Sequence, residues 1–550
     1  MCTARILAWS TNRRAYFRAI SSLPFSLSTP TFNLFSAGCR LYWKNVNHTS
    51  HRAQLLLTRK MANLSPGPKP KRQRTLGIVQ REVENGAKIR VVPEVTSYEH
   101  NIIIADSKEA AEALAKERGL LGVRVDFKGV HLVAAKKSVS VIVVPNDTSR
   151  HNSTARPDFV VKALQADPLL NSSAAIGVII AKTNTVKDAI WALSVYRAFP
   201  SCNLKTSEIK DQMITFTTGV PKSVQIVGES IRIAQVLVDL PPSHLTAQTF
   251  EDFVREALQS YLTVQIDKIE GKELEKRGFG GLWGVGKGAQ FNEGRAPRLL
   301  IMKYAGSGDS TKPFKTLVGK GIIYDTGGLA IKPRDGMCGM KRDMGGSAGV
   351  FAGFLATVRA EVKENICCLL CIAENSVSAT AFRNDDILHM YSGKTVEVNN
   401  TDAEGRLVLG DGVAYASKDL KSDLILTMAT LTGAQGIATG QLHAGMVSDS
   451  EVWEEKVLAA AQKSGELVWP LPYCPELHME EFKSSCADMK NSVANRANAQ
   501  VSCAASFIRA HIEEKWSGAW VHIDMASPAY KGERATGYGT ALVAAMLGVW

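Results

Sequence analysis

The chain has 550 residues, is 45% hydrophobic, and carries 65 Lys and Arg against 53 Asp and Glu, a formal net charge of +12. That length exceeds what one hydrophobic core organises, and no run of 18 or more apolar residues supplies a membrane-spanning helix. Ten cysteines in no regular framework exclude a disulfide-stapled scaffold and point to reduced thiols in a cytoplasmic compartment.

The charge is concentrated at the amino terminus. Residues 1–81 hold 14 basic side chains and no acid, the first acid being Glu82, so the other 51 basic residues face all 53 acids. The remainder is near neutral, which argues against nucleic acid as a partner, since duplex binding rests on clustered Lys and Arg. Two readings of the leader stand. Arg5, Arg13, Arg14 and Arg18 interspersed with Ile6, Leu7, Trp9 and Phe17 have the composition of a mitochondrial transit peptide. Alternatively translation starts at Met61, leaving a disordered basic tail around 66–74 with the composition of a nuclear signal. Either way residues 1–84 form a leader or tail.

Past it, 139–144 and 176–181 read as buried strands, 185–199 as a helix and 213–218 as a strand, which predicts a small α/β domain over 85–225. A connecting helix over 226–240 stops at Pro241-Pro242, because proline cannot continue a helix. From 241 to 550 the pattern resumes, with a helix over 246–258, strands at 298–302, 366–372 and 424–427, and helices at 346–358 and 410–418. The fold class is therefore α/β: a smaller N-terminal α/β domain and a larger C-terminal α/β/α domain whose mixed sheet is parallel at its centre.

Three motifs invite misreading. Gly281 to Gly288 nearly fits a phosphate-binding loop, but Gly288 stands where Ser or Thr must meet magnesium, so a structural glycine loop is expected. Ser347, within Gly-Gly-Ser-Ala-Gly, is expected at a helix start rather than as a nucleophile. Cys367, Cys368 and Cys371 lie in an apolar run and read as inert thiols in a central strand.

Two other blocks carry chemistry. In the first, an apolar strand carries Lys320 and ends in Asp325 and a Gly pair, with Lys332 and Asp343 following. In the second, Asn400, Asp402, Glu404 and Arg406 alternate with Thr, Ala, Gly and Leu, which in an extended segment puts all four on one face. Two carboxylates aimed the same way repel and bind protons unless a cation neutralises them. Four acids, Asp325, Asp343, Asp402 and Glu404, suffice for two divalent ions that activate water. Of the two lysines, one suits a neutral amine ligand whose proton a metal displaces, the other a charged donor that polarises a carbonyl. Strand ends at 322–324 and 396–398 bring both blocks to the carboxyl edge of a sheet, where ligands of such folds bind.

The blocks, with Ala429 to Ala434 and Gly532 to Gly537, resemble the leucyl aminopeptidases, and most closely their probable aminopeptidase-like branch. Positions 320, 325, 332, 343, 402, 404 and 406 match the family's functional residues without substitution. The resemblance implies a peptidase with two divalent ions, zinc or manganese, acting on apolar, leucine-type N-terminal residues of peptides. Asp325 and Glu404 would bridge the ions, Asp402 would complete one site, and Lys320 with Asp343 the other. Lys332 would contact the scissile carbonyl oxygen, and Arg406 would hold a bicarbonate that acts as general base. Met340, Thr430 and Gly433 would line the first side-chain pocket, while Asn400 and Leu431 would meet the peptide backbone. A homohexamer of two stacked trimers is also implied. Two readings from other classes are a non-catalytic DNA- or protein-binding member of the same fold, and a two-metal phosphoesterase, which usually recruits His.

Overall fold

The computed structural model describes residues 77–550 apart from 94–97, 99, 121–129, 135, 136, 168–174, 207–211 and 310. Both expectations for the leader, the transit peptide and the start at Met61, concern residues outside those described. The folded chain begins earlier than residue 85: the helix Ile78–Asn85 is already in place, with Val79 buried in the same core as Leu237 and Phe250. Residues 75–550 form one compact unit.

The strands β1 (Lys88–Val91), β2 (His100–Ala105), β3 (Val130–Ala134), β4 (Lys137–Val143), β5 (Ala175–Ile180) and β6 (Met213–Phe216) build the first sheet. Their order is β1-β6-β5-β2-β4-β3, and every neighbouring pair is parallel except β3 against β4. The expected α/β region thus holds more strands than patterning singled out.

The strands that follow are β7 (Val264–Glu270), β8 (Arg298–Ala305), β9 (Lys315–Asp325), β10 (Asn365–Asn375), β11 (Ile387–His389), β12 (Thr395–Glu397), β13 (Leu424–Ala429), β14 (Ala444–Ser448), β15 (Val468–Pro470), β16 (Met489–Lys490) and β17 (Ala519–Asp524). Eight of them form a mixed sheet, β15-β14-β17-β13-β9-β10-β8-β7, in which β17, β13, β9 and β10 run parallel at the centre. Along β10 the residues alternate between two cores: Ile366, Cys368, Leu370 and Ile372 face one, Cys367, Leu369 and Cys371 the other. Both faces are therefore covered, which is why this strand reads as an unbroken apolar run and why its three thiols are buried. The helix Gly345–Arg359 covers the first face through Phe351 and Phe354, and Gly405–Lys418 covers the second through Leu407 and Val413.

Several boundaries differ from expectation, and glycine accounts for most. The connecting helix is Lys222–Asp239, about one turn longer at its start than predicted. Its interior Gly228 is a packing device, since a Cβ there would lie 2.3 Å from the Tyr196 ring. Residues 280–286 form the helix Gly280–Gly286 rather than a glycine loop, because side chains at 280 and 281 would strike the backbone of His389 and Leu407. Ser347 stands in the first turn of the helix Gly345–Arg359, at the helix start as expected, and its hydroxyl donates to the Gly319 carbonyl at 2.9 Å, a buried structural contact.

The two sheets are joined through buried charge. Arg197, on the helix Thr185–Ala198, pairs with Glu466. Glu466 also accepts from the Gly539 and Leu542 amides at 3.0 and 2.8 Å, at the head of the helix Thr540–Met546. Burial pushes the Glu466 carboxyl up, and Arg197 opposes the shift.

Candidate metal centre

Four parallel strands end at one edge, and each delivers a polar residue there: β9 ends in Asp325, β10 in Asn375, β13 runs into Thr430, and β17 ends in Asp524. A register shift in the β9/β10 ladder after Ala373 sets Asn375 opposite Asp325. The Asn375 amide then donates to Asp325 Oδ1 at 2.8 Å and to the Thr401 carbonyl at 3.0 Å, tying the first block to the second. Thr401 repeats the tie by accepting from the Ala330 amide and donating to the Gly327 carbonyl, both at 2.7 Å. Gly327 has φ +83° and lies so close to Asp402 that a Cβ would approach its Oδ1 to 2.9 Å. Only glycine meets both demands without strain.

The second block is not an extended segment, which corrects the expectation. Its residues make a turn at Thr401 and Asp402, then enter the helix Gly405–Lys418 with Glu404 at the N-cap and Arg406 in the first turn. Nor does β12, which leads into it, belong to the eight-stranded sheet; it sits in the small sheet β11-β12-β16. The convergence of Asp402 and Glu404 is produced by a turn held by side chains. In that turn the Asn400 side-chain oxygen accepts from the Asp402 amide at 2.9 Å. Asn491 meanwhile bonds the backbone of Asn399, Asn400 and Ala403.

Six of the seven predicted positions are in contact at this edge, and Arg406 stands in the first helical turn after Glu404. Lys320 Nζ lies 2.8 Å from Asp343 Oδ1, 2.9 Å from Glu404 Oε1 and 3.1 Å from the Thr430 carbonyl. Lys332 Nζ lies 2.9 Å from Asp325 Oδ2 and 2.5 Å from Asp402 Oδ1. Asp325, Asp343 and Glu404 are buried, and one oxygen of each lies within 4.8 Å of the others. Like charges at that spacing repel by about 3.5 kcal/mol per pair at an effective dielectric of roughly 20. Three such pairs rival the whole stability of a typical domain, so the cluster needs compensating cations. Burial, with Glu404 and Asp325 adding to it, pushes the Asp343 carboxyl well up; burial and Asp325 push Glu404 up, and burial does the same for Asp402. For Lys320 burial works downward, yet Asp343, Glu404 and Asp325 overcome it and the ammonium is held above its ordinary range. Lys332 is raised in the same way, Asp325 and Glu404 outweighing its partial burial.

The donor set fits divalent cations. It offers hard carboxylate oxygens on a rigid edge, and Glu404 Oε2 is buried without a hydrogen-bond partner. A Cβ on Gly405 would come 2.6 Å from Lys320 Cε, so glycine is what lets the Lys320 stem pass the helix start. Arg406 is buried, burial lowers it to about 10, and its Nη1 has no partner; it remains charged near neutrality and open to an anion.

The predicted rim residues have distinct surroundings. Met340 is half-buried in the short turn Met340–Arg342 before Asp343. Thr430 is buried, its hydroxyl donating to Asp343 Oδ1 at 2.9 Å. Half-buried Leu431 packs toward Gly405, and Gly433 is exposed at the start of the helix Gly433–Ala438. Pattern reading missed Asn375, Thr401 and Asp524. Asp524 accepts from the Leu431, Thr432 and Ala526 amides and from the Thr432 hydroxyl, fixing the loop that bears Thr430. Asn375 left one signal, a polar residue closing an apolar strand; the others left none.

The profile of the cytosol aminopeptidase family's catalytic domain matches residues 232–544. A mouse protein described as probable aminopeptidase NPEPL1 is 43% identical over 425 residues, covering 74% of this chain and 79% of that one. Leucine aminopeptidase 1 of Caenorhabditis elegans is 39% identical, covering 74% and 83%. Among solved structures, leucyl aminopeptidase from Trypanosoma brucei in complex with actinonin superposes with a TM-score of 0.75 at 37% identity, covering 85% of this chain and 97% of that one. The Leishmania major leucyl aminopeptidase gives 0.78 at 33%, covering 85% and 96%.

Proposed function

Because the chain belongs to the cytosol aminopeptidase family and is a metallo-exopeptidase, we propose that it removes apolar, leucine-type N-terminal residues from peptides with two divalent ions, zinc or manganese. The observation that carries this reading is the buried carboxylate cluster of Asp325, Asp343 and Glu404, which compensating cations must stabilise. Asp325, Glu404, Asp402, Asp343 and Lys320 would hold the ions. When bound, the ions supply Lewis acidity and a water of lowered pKa.

The remaining roles fall to the chain itself. Lys320 is favoured as an ammonium beside Asp343 and Glu404, so its service as an amine ligand would require displacement of one proton. Lys332, which pairs with Asp325 and Asp402, would offer its charge to the oxygen that turns negative in the transition state when those carboxylates hold cations. Arg406, with Nη1 unpartnered, holds an anion such as bicarbonate as proton acceptor. Met340, Thr430 and Gly433 border the first side-chain pocket. Asn400 spends its oxygen on the Asp402 amide, which leaves its amide donors for a peptide carbonyl near Leu431.

A hexamer is part of the same proposal. A cytoplasmic location accords with the eight cysteines among the described residues, all free thiols, and a mitochondrial one would follow from a functional leader. The test is release of fluorophore from leucyl-coumarylamide by the purified protein, followed with chelator and with zinc or manganese restored. Activity that disappears with chelator and returns with metal supports the reading; activity indifferent to chelator overturns it.

A further inference from the structure

The turn that carries Asp402 and Glu404 lies outside any sheet ladder, so its backbone groups need partners from elsewhere. Asn491 supplies them. Its side chain is fully buried; Oδ1 accepts from the Asn399 and Asn400 amides at 2.9 and 3.2 Å, and Nδ2 donates to the Asn400 and Ala403 carbonyls at 2.7 and 3.3 Å. That uses both lone pairs and both protons of one amide on three residues, Asn399, Asn400 and Ala403, which bracket the turn. The contact is reciprocated: Asn399 Oδ1 accepts from the Ser492 amide at 2.9 Å and its Nδ2 donates to the Ser492 carbonyl at 3.1 Å. Anchoring the clasp, the Asn491 amide donates to the Glu397 carbonyl at 3.0 Å, next to the β12/β16 pairing.

We infer that Asn491 is a positioning residue of the metal centre: it touches no reacting atom but fixes the turn geometry that sets Asp402 and Glu404 at their spacing from Asp325. This rests on the metal-centre reading above. No smaller or apolar side chain offers two acceptors and two donors at this point, so the turn relaxes when Asn491 is replaced. Groups that orient metal ligands typically contribute 10- to 100-fold in affinity.

The same strand system contains its own control. Asn365, at the opposite end of β10 from Asn375, is buried and equally saturated, accepting from the Ser307 amide and hydroxyl and donating to the Asp309 and Lys312 carbonyls. It clasps a loop that bears no candidate ligand.

The test measures zinc affinity of the full chain by equilibrium dialysis, alongside thermal denaturation of metal-free protein, for wild type, Asn491→Ala, Asn491→Leu and Asn365→Ala. The expected result is zinc binding weakened tenfold or more in both Asn491 variants and unchanged within twofold in Asn365→Ala, whatever thermal stability each loses. Wild-type affinity in the Asn491 variants, or an equal loss in Asn365→Ala, overturns the inference. So does failure of both Asn491 variants to fold while Asn365→Ala folds, since the clasp would then hold the domain and not the ligand turn. A wild-type protein that binds no zinc would instead remove the metal-centre reading itself.

Discussion

The two ends of the eight-stranded sheet bury opposite things. At the amino end, around Asp423 and Ala519, lies an open cleft of about 850 Å³ bordered by Lys421, Asp449, Trp453, Glu513 and Trp516. Lys421, Asp423 and Glu513 there are exposed, and water screens them. At the carboxyl end three acids are packed out of water with one oxygen of each within 4.8 Å of the others, and Lys320 pairs with two of them. Volume marks where a surface is concave; buried carboxylates that outnumber their lysine partners mark where the fold has accepted a cost that a bound cation relieves. The chemistry therefore belongs to the end where the charge is buried.

That contrast can be broken by substitution. Asp402→Asn should cost one ion its ligand, and elemental analysis should find reduced occupancy with activity largely lost; full occupancy would argue against ligation by Asp402. Lys332→Ala should keep its metal and lose about a hundredfold or more in turnover, the usual consequence of removing a donor to a developing oxyanion. Near-normal turnover would place Lys332 outside the reaction.

Asp411 sharpens the comparison, being buried like the site acids but paired only with backbone amides, those of Leu282 and Tyr391 at 2.8 and 2.9 Å. Burial raises its carboxyl to about 7. The folded state thus holds this proton where the unfolded chain, with a carboxyl near about 3.9, has released it. Stability from this group is full below that value and is lost as pH rises through about 7. Asp411→Asn should remove the drift: the melting temperature of the wild type, relative to the variant, should fall between pH 4 and 7, and a constant difference would refute the assignment. The smallest effect belongs to the amino end. Trp516→Phe removes a hydrogen bond from the indole to the Ser422 carbonyl, 2.5 Å long. It should cost about 1 kcal/mol of stability with kcat unchanged.

Much of this was legible in the sequence because the chemistry is local in it. Asp325 closes a β-branched run, and Asp402 and Glu404 stand two residues apart, so strand ends and ligands could be named together. What was misjudged is backbone geometry: alternation suggested an extended segment, whereas a turn and a helix start bring Asp402 and Glu404 together. Glycine hid the true start of the helix Gly405–Lys418, since the reason for a glycine at 405 is a neighbour distant in sequence, Lys320. Asp524 and Asn491 were invisible for the same cause, and Asn375 showed only as a polar residue closing an apolar strand. A single amide or acid acquires its task only when remote segments arrive beside it, and spacing along the chain holds no trace of that.

The bond between Arg197 and Glu466 bears on how such a protein can be divided. A catalytic region expressed from Lys222 onward would keep Glu466 buried at the head of the helix Thr540–Met546, with its guanidinium partner left behind on the discarded piece. A buried carboxylate stripped of its cation costs about 3–5 kcal/mol, a large share of what holds a domain together. The two sheets are accordingly a poor place to cut: shuffling, truncation or fusion at that linker would hand the recipient an unfinished interior, and the pair must be moved, or inherited, whole.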